Sequence, residues 1–432
     1  MRWMMDQYDF VVVGAGVIGL SCAYHMKMDH PEATALVLDK APSAASGDTS
    51  KSAGAVRNTF TSEVNHLLAD TSLDFYTHIQ RELKFNLDLE FVGYLWLLSE
   101  KEYQVFEGLA KLMAGKGIKL KIWSKEELHE MAEGLCLEFS PDDVEAKTVG
   151  LENIVGGIQG IKCGTIAPEL VARFYEKEFK ELGGVIKCNT EVISLILEPE
   201  EKLGLPKEPL VWQDKKIKGV RTTTGDIYAK TTVVAAGRWA NKLLDEAGMD
   251  SHMKTKKRQL FQLSSPKVVN LLNTKGFNEH GLLPFTILPR GGVYMRPVRA
   301  EKGFWVGAAD DLGRAFVFEE DPKAETDYFT YNIYPVLSKY FPQFTDVKPN
   351  NMWAGEYDIN TSDNNPCIFE ENNLLVVAGL SGSGIMKADA VGRIASALHD
   401  GREDATLYGG RKIKVRRLGI AERDVGKERF VL

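Results

Sequence analysis

"DFVVVGAGVIGLSCAYH", residues 9–25, decides the fold. Four branched or aromatic apolar residues, Phe10 to Val13, run into Gly14, Gly16 and Gly19, and a helical pattern follows over 18–28. A strand, a tight glycine turn and a helix start form the cradle of a dinucleotide pyrophosphate. The first glycine allows the turn, the second lets the backbone approach the phosphates, and the third lets helix pack on strand. The phosphates then face the positive end of the helix dipole. A second strand over 34–38 ends at Asp39, where a carboxylate can accept from ribose hydroxyls and disfavours a 2′-phosphate.

Outward from this unit, the 432 residues suggest two domains, and the net charge of −7 argues against a nucleic-acid binder. The five cysteines, Cys22, Cys136, Cys163, Cys188 and Cys367, include no CxxC pair, which fits a reducing compartment without disulfides. No apolar run approaches eighteen residues, so no membrane span is expected and the location is read as cytoplasmic. His66, His78, His129, His252 and His280 show no metal-ligand spacing, and no metal is expected. The C-terminal stretch 411–432 carries eight Lys or Arg against three acids, and reads as a solvated extension more than a dock for an acidic partner.

Helical spacing predicts helices over 63–83, 124–131, 167–184, 324–340 and 385–399. Strands are expected at 91–99, 185–197, 217–222, 227–235 and 373–380, and 258–310 has the texture of an antiparallel sheet of short strands. The class is α/β plus α+β. A discontinuous nucleotide domain (1–88, 148–240 and 351–410) receives an inserted antiparallel-sheet domain (89–147 and 241–350), and 411–432 forms the tail.

Three further stretches separate FAD from NAD: "DTSKSAGAVRNTF" (48–60), "TTVVAAGRWANKLL" (231–244) and "LLVVAGLSGSGIMKADAVGRI" (374–394). With "GGVYMRP" (291–297), they make residues 8 to about 400 resemble the D-amino-acid-oxidase-like superfamily of FAD-dependent oxidoreductases. The nearest branch resembled is that of sarcosine, dimethylglycine and L-proline dehydrogenases or oxidases. The resemblance implies a flavin domain of the glutathione-reductase type. It implies FAD contacts from Gly14, Gly16, Val17, Ile18, Gly19, Asp39 and Lys40, and from Ser50, Lys51, Ser52, Ala53 and Gly54. Val192, Ala236, Gly237 and Trp239 join them, with Gly379, Ser381, Gly382, Ser383, Gly384, Ile385 and Met386. The "LSGSGIM" turn opens a helix, so its N–H groups suit the charge that a reduced flavin carries.

Where members of this superfamily attach FAD covalently, a histidine or a cysteine stands; the matching positions here are Lys51 and Gly355, so FAD is expected to be non-covalent. The resemblance implies Arg57 as the carboxylate-binding arginine, whose fork of donors suits that ligand. Tyr294, Arg296 and Tyr357 are the other candidates. Trp305 stands where related oxidases hold a lysine over the flavin, which implies an electron acceptor other than oxygen. The expected reaction is oxidation of a small carboxylated amine, such as an N-methyl or secondary amino acid. A 2-hydroxy acid dehydrogenase and a non-catalytic assembly or electron-transfer subunit remain alternatives, and a partner subunit or homo-oligomer is compatible with either.

Overall fold

The computed structural model describes residues 7–310 and 312–425. Two eight-stranded sheets organise it. In the first, the strand Gln7–Val13 lies between Ala35–Leu38 and Gly225–Val234, parallel to both. Leu374–Ala378 extends the sheet in parallel beyond Gly225–Val234, and Val185–Lys187 extends it beyond Ala35–Leu38. The second half of Gln7–Val13, Phe10–Val13, is all apolar because both of its faces are covered there. Phe10 and Val12 pack into the core shared with the helices Val17–Asp29 and Ala388–His399, while Val11 and Val13 face a second core. The chain crosses to opposite sides of this central strand, so its C-terminal end opens a crevice where a nucleotide fits.

The second sheet runs in the order Asn351–Asn360, Met253–Ser264, Gly303–Ala308, Val293–Val298, Phe285–Ile287, Tyr94–Leu98, Gly156–Gly160, Leu120–Ser124. It is antiparallel, as expected, except that Phe285–Ile287 pairs in parallel with Tyr94–Leu98. The expected strand texture of 258–310 is present, although Met253–Ser264 spans twelve residues and is not short. Two of its strands correct the expected domain boundaries. Gly156–Gly160 and Asn351–Asn360 fall in portions assigned to the nucleotide domain, yet both pair in the second sheet.

Local chemistry explains most helices. Ser124 caps Lys125–Met131 with Glu127 returning the bond, a capping box, and Pro168 opens Pro168–Glu181 where its missing N–H is harmless. The helix expected over 324–340 is present over 326–340, with a change of pitch in its middle. Thr326–Tyr328 passes through a wide π turn, Phe329–Ile333, before Tyr334–Tyr340. Pro335 lacks the N–H an α-helix needs there, and the wide turn absorbs the loss.

The basic tail is also corrected. Through Val425 it is not a solvated extension: Lys412–Lys414 pairs with Asp404–Thr406, and Ile413, Val415, Leu418 and Val425 are buried in the nucleotide-domain core. Arg423 is held by both carboxylate oxygens of Asp363. The remaining tail residues, 426–432, lie outside the described residues. Among the described residues no helix is long and apolar enough to cross a membrane.

Candidate functional site

At the C-terminal end of the central strand, Gly14 takes φ 105°, and a Cβ there would stand 2.5 Å from the Ala235 carbonyl oxygen. Only glycine fits. Gly19 has no room either, since its Cβ would lie 1.9 Å from Gly14 O; its role is helix-on-strand packing, and it does not reach the cavity wall. Gly16 is the N-cap of Val17–Asp29, which has neither a side-chain cap nor an acid in its first turn. The positive end of that helix therefore opens on the cavity, with Thr49 Oγ1 accepting from Val17 N at 3.1 Å. Asp39 accepts from Ala15 N (2.7 Å) and Ala41 N (2.8 Å), one bond to each oxygen. Each oxygen keeps a lone pair for a ribose hydroxyl. This cradle fits the pyrophosphate and ribose of a dinucleotide.

From the cradle a cavity of about 760 Å³ runs between the two sheets. Of the expected cofactor contacts, Gly14, Gly16, Val17, Ile18, Asp39, Lys40, Lys51, Ser52, Ala53, Val192, Ala236, Gly237, Trp239, Gly382, Gly384 and Ile385 line it. Ser50, Gly54, Gly379, Ser381, Ser383 and Met386 stand behind the wall. Their contacts say why: Ser50 bonds Gly47 O, a Cβ on Gly54 would meet Ile166 O at 2.2 Å, and Met386 is core. Ser381 accepts from Asn360 N and Ser383 donates to Leu380 O, so both shape the turn.

The sequence reading missed the polar residues that hold these walls together. Arg238, between two expected contacts, is buried with its Nε 3.1 Å from Asp48 and its NH1 3.1 Å from Glu356. Its guanidinium also donates to the carbonyls of Glu319 and Glu320 and stacks 4.0 Å from the centre of the Trp239 ring. It joins the loop around Asp48, the strand Asn351–Asn360 and the 319–320 segment. Burial raises the Asp48 and Glu356 carboxyls, with Arg238 working against it. Glu320 lies on the cavity wall, bonded to Lys40, Trp239 Nε1 and Lys242. Asp358 accepts from the N–H groups of Gly379 (2.9 Å) and Leu380 (3.2 Å), fixing the second glycine turn. Burial lifts its carboxyl to about 6, against the pull of those N–H groups.

At the end formed by the second sheet, the four candidate side chains separate. Tyr294 and Tyr357 line the cavity; Arg57 and Arg296 do not. Arg57 donates to Thr59 O at 2.6 Å and lies 4.2 Å over the Phe60 ring. Arg296 is stacked 4.3 Å over Trp305, and burial lowers it to about 10. The arginine on the wall at this end is Arg258, from Met253–Ser264. Its strand alternates, so Arg258 and Leu260 both face the cavity, and Arg258 pairs across the strands with Gly355. A Cβ on Gly355 would meet Lys51 Cβ at 3.1 Å and Asp48 Oδ1 at 3.2 Å, so glycine there admits the 48–51 loop. Arg258 NH1 donates to the main-chain and side-chain oxygens of Asp310, both at 3.1 Å, and the guanidinium carbon lies 5.3 Å from the Tyr357 ring centre. The Tyr357 ring fills the place of a Cβ on Gly382, 2.2 Å away, so this phenol stands beside the second glycine turn. Burial pushes the Tyr294 phenol far up, so it stays a hydrogen-bond donor.

Residues 9–398 match the sequence profile of the DAO family, described as FAD dependent oxidoreductase. The chain belongs to this family. It is an FAD-dependent oxidoreductase, and the glycine cradle has the geometry that cofactor requires. The chain is similar to FAD-dependent oxidoreductase domain-containing protein 1 of Xenopus laevis, 25% identical over 418 residues (92% of this chain, 80% of that protein). It is also similar to the glycine oxidase of Bacillus subtilis (strain 168), 24% identical over 401 residues (91% and 94%). Among solved structures, L-proline dehydrogenase from P. horikoshii superposes with a TM-score of 0.73 at 22% identity, covering 92% of this chain and 95% of that one. At that identity the likeness speaks for the fold alone.

Proposed function

We propose that the enzyme oxidises a small carboxylated amine, with Arg258 holding the carboxylate and Tyr294 and Tyr357 completing the grip. The observation that carries this reading is one guanidinium and two phenols on the second sheet, opening into the cavity that also holds the glycine cradle. The chemistry that FAD supplies when bound is two-electron acceptance at flavin N5. Arg258 sits at the wall with Asp310 as its resting counter-ion, and a substrate carboxylate shares that guanidinium. The Tyr294 phenol keeps its proton and donates to the same carboxylate. With the carboxylate fixed at one end, the amine-bearing carbon is oriented by position rather than by a general base. The name of one relative, glycine oxidase, supports an amino acid as substrate.

The test is an anaerobic screen of the flavin-loaded protein against glycine, sarcosine, proline, N-methyl amino acids and their 2-hydroxy counterparts, read at the flavin absorbance. Bleaching by a carboxylated amine supports the proposal. Bleaching by hydroxy acids alone moves the activity to the hydroxy-acid class. No bleaching by any of them rejects oxidation of small acids and favours an assembly or electron-transfer role.

A further inference from the structure

Away from the cofactor cavity, two helices that border it end side by side. Val17–Asp29 begins at Gly16, and Ala388–His399 follows the 380–385 turn, so both start at the cavity. They pack along each other, and their C-terminal ends carry His30, the cap of the first, and His399 with Asp400, the last residue and cap of the second. One ligand atom from each of these three side chains lies within 4.8 Å of the others. His30 Nε2 stands 2.6 Å from Asp400 Oδ1, and the two imidazole planes meet at 87° with centroids 5.7 Å apart. His399 Nδ1 is buried, with no hydrogen-bond partner among the described residues. An open cleft reaches this spot, lined by both histidines, Asp29 and Glu32.

We propose that His30, His399 and Asp400 form a binding site for a divalent transition metal of the zinc class. Two imidazole nitrogens and one carboxylate oxygen are the donor set that Zn²⁺ takes with three protein ligands, water completing the tetrahedron. Tetrahedral ligands at zinc distances stand roughly 3.3 Å apart, so small side-chain rotations close the observed spread. The imidazoles select against calcium and magnesium, which need oxygen ligands. Two helix C-termini converge here, and their partial negative charges favour a cation. Arg402 lies 2.8 Å from Asp400 Oδ2, which leaves Oδ1 turned to His30. The histidines are 369 positions apart, so no sequence spacing announces them. The metal ties together the far ends of the two helices whose near ends border the cofactor cavity.

The rival is a plain histidine–carboxylate pair capping two helix ends. To separate them, untagged, flavin-loaded full-length protein is stripped with EDTA, desalted, and titrated with Zn²⁺ alone by calorimetry and thermal unfolding. The expected result is one equivalent bound at micromolar Kd or tighter, with Tm rising by about 3 °C at a hundredfold excess over Kd. Outer-shell partners alone contribute 10–100-fold to metal affinity, so His30→Ala and His399→Ala should each weaken binding at least about 100-fold. Flavin content reports that the variants are folded. If His399→Ala fails to fold, His30→Gln alone decides, because that side chain is 41% exposed. X-ray absorption of the zinc complex should show imidazole ligands at about 2.0 Å and no sulfur at about 2.3 Å. No stoichiometric binding, unchanged affinity in the histidine variants, or a sulfur shell overturns the proposal.

Discussion

Replacing Arg258 with alanine tests the proposed substrate grip. The guanidinium lies on the cavity wall 5.3 Å from the Tyr357 ring, with its NH1 on Asp310. Truncating one partner of a charge-assisted contact in a partly closed site removes about 2–5 kcal/mol. That is roughly a thirty-fold to several-thousand-fold loss of kcat/KM for a carboxylated amine. The fold should tolerate the change. Asp310 keeps Arg314 Nε at 2.6 Å on its other oxygen, so no buried carboxylate is stranded and stability falls by about 1 kcal/mol. Arg258→Lys should recover only part of the activity, since an ammonium keeps the charge and loses the fork.

Arg57→Ala is the matched control. The residue is 9% exposed, its guanidinium lies over Phe60 and it does not line the cavity, so its loss should lower Tm and leave substrate preference alone. Both variants are assayed on a carboxylated amine and on the same amine without its carboxylate. Arg258→Ala should penalise the first substrate selectively. If Arg57→Ala shows that selectivity and Arg258→Ala slows both substrates equally, the anchor is Arg57, as the family resemblance implies, and the assignment made from the cavity wall is wrong.

Gly16→Val should abolish FAD binding yet leave the apoprotein's melting nearly normal, because an added Cβ meets only Thr49 Oγ1, at 3.3 Å. Gly14→Ala, at φ 105° and 2.5 Å from Ala235 O, should lower Tm with or without flavin; flavin content and apoprotein Tm together check both. Acid precipitation should leave FAD in the supernatant, since no histidine or cysteine is among the residues lining the cavity; flavin in the pellet refutes this. Asp358 has its carboxyl raised from 3.8 to about 6, so the folded chain holds a proton that the unfolded chain loses as pH rises through that window. The contribution of this group to stability therefore falls from pH 4 to 6. Asp358→Asn, whose carbonyl can still accept the two N–H groups, should be more stable than wild type at pH 8, by at most about 3 kcal/mol, and lose that advantage by pH 4 in denaturant titrations. Reduced flavin should react slowly with oxygen in stopped flow, because Trp305, bonded to Glu301, occupies the strand position implied for the oxidase lysine.

Short-range signals carried the sequence reading far. The glycine turn, the acid at 39, the capping box at Ser124 and the amphipathic helix after Pro168 are local, and each stands where its chemistry puts it. One local signal was passed over: Ser99 and Glu102 form a capping box for Glu100–Gly115. The strand Asn351–Asn360 was missed for a different reason. "NMWAGEYDIN" alternates only over 356–360; it is an edge strand that pairs with Met253–Ser264 alone among the described residues, and Gly355 to Asp358 line the cavity rather than a core. In the tail, lysines and arginines at every second or third position hid Ile413, Val415 and Leu418, which are buried.

The parts of the site that were not legible depend on register, which no local pattern carries. Alternation within "KKRQL" puts Arg258 and Leu260 on one face but leaves open which face meets the cavity. That is fixed by pairing: Arg258 lies opposite Gly355, and Leu260 is flanked by Trp353 on one side and Gly307 on the other. A one-residue slip of Met253–Ser264 would turn Lys257 and Gln259 to the cavity instead, so the arginine's position follows from the whole sheet. The same logic separates Tyr294 from Arg296. They share a strand face, but Tyr294 pairs with Gly307, whose missing side chain leaves room for the phenol, whereas Arg296 pairs with Trp305 and is covered by it. Gly307 thus opens the space that the tyrosine fills, since a Cβ there would stand 2.6 Å from the Tyr294 hydroxyl oxygen. Filling Gly307 with alanine should disturb the substrate end while leaving the glycine cradle, built on the other sheet, intact.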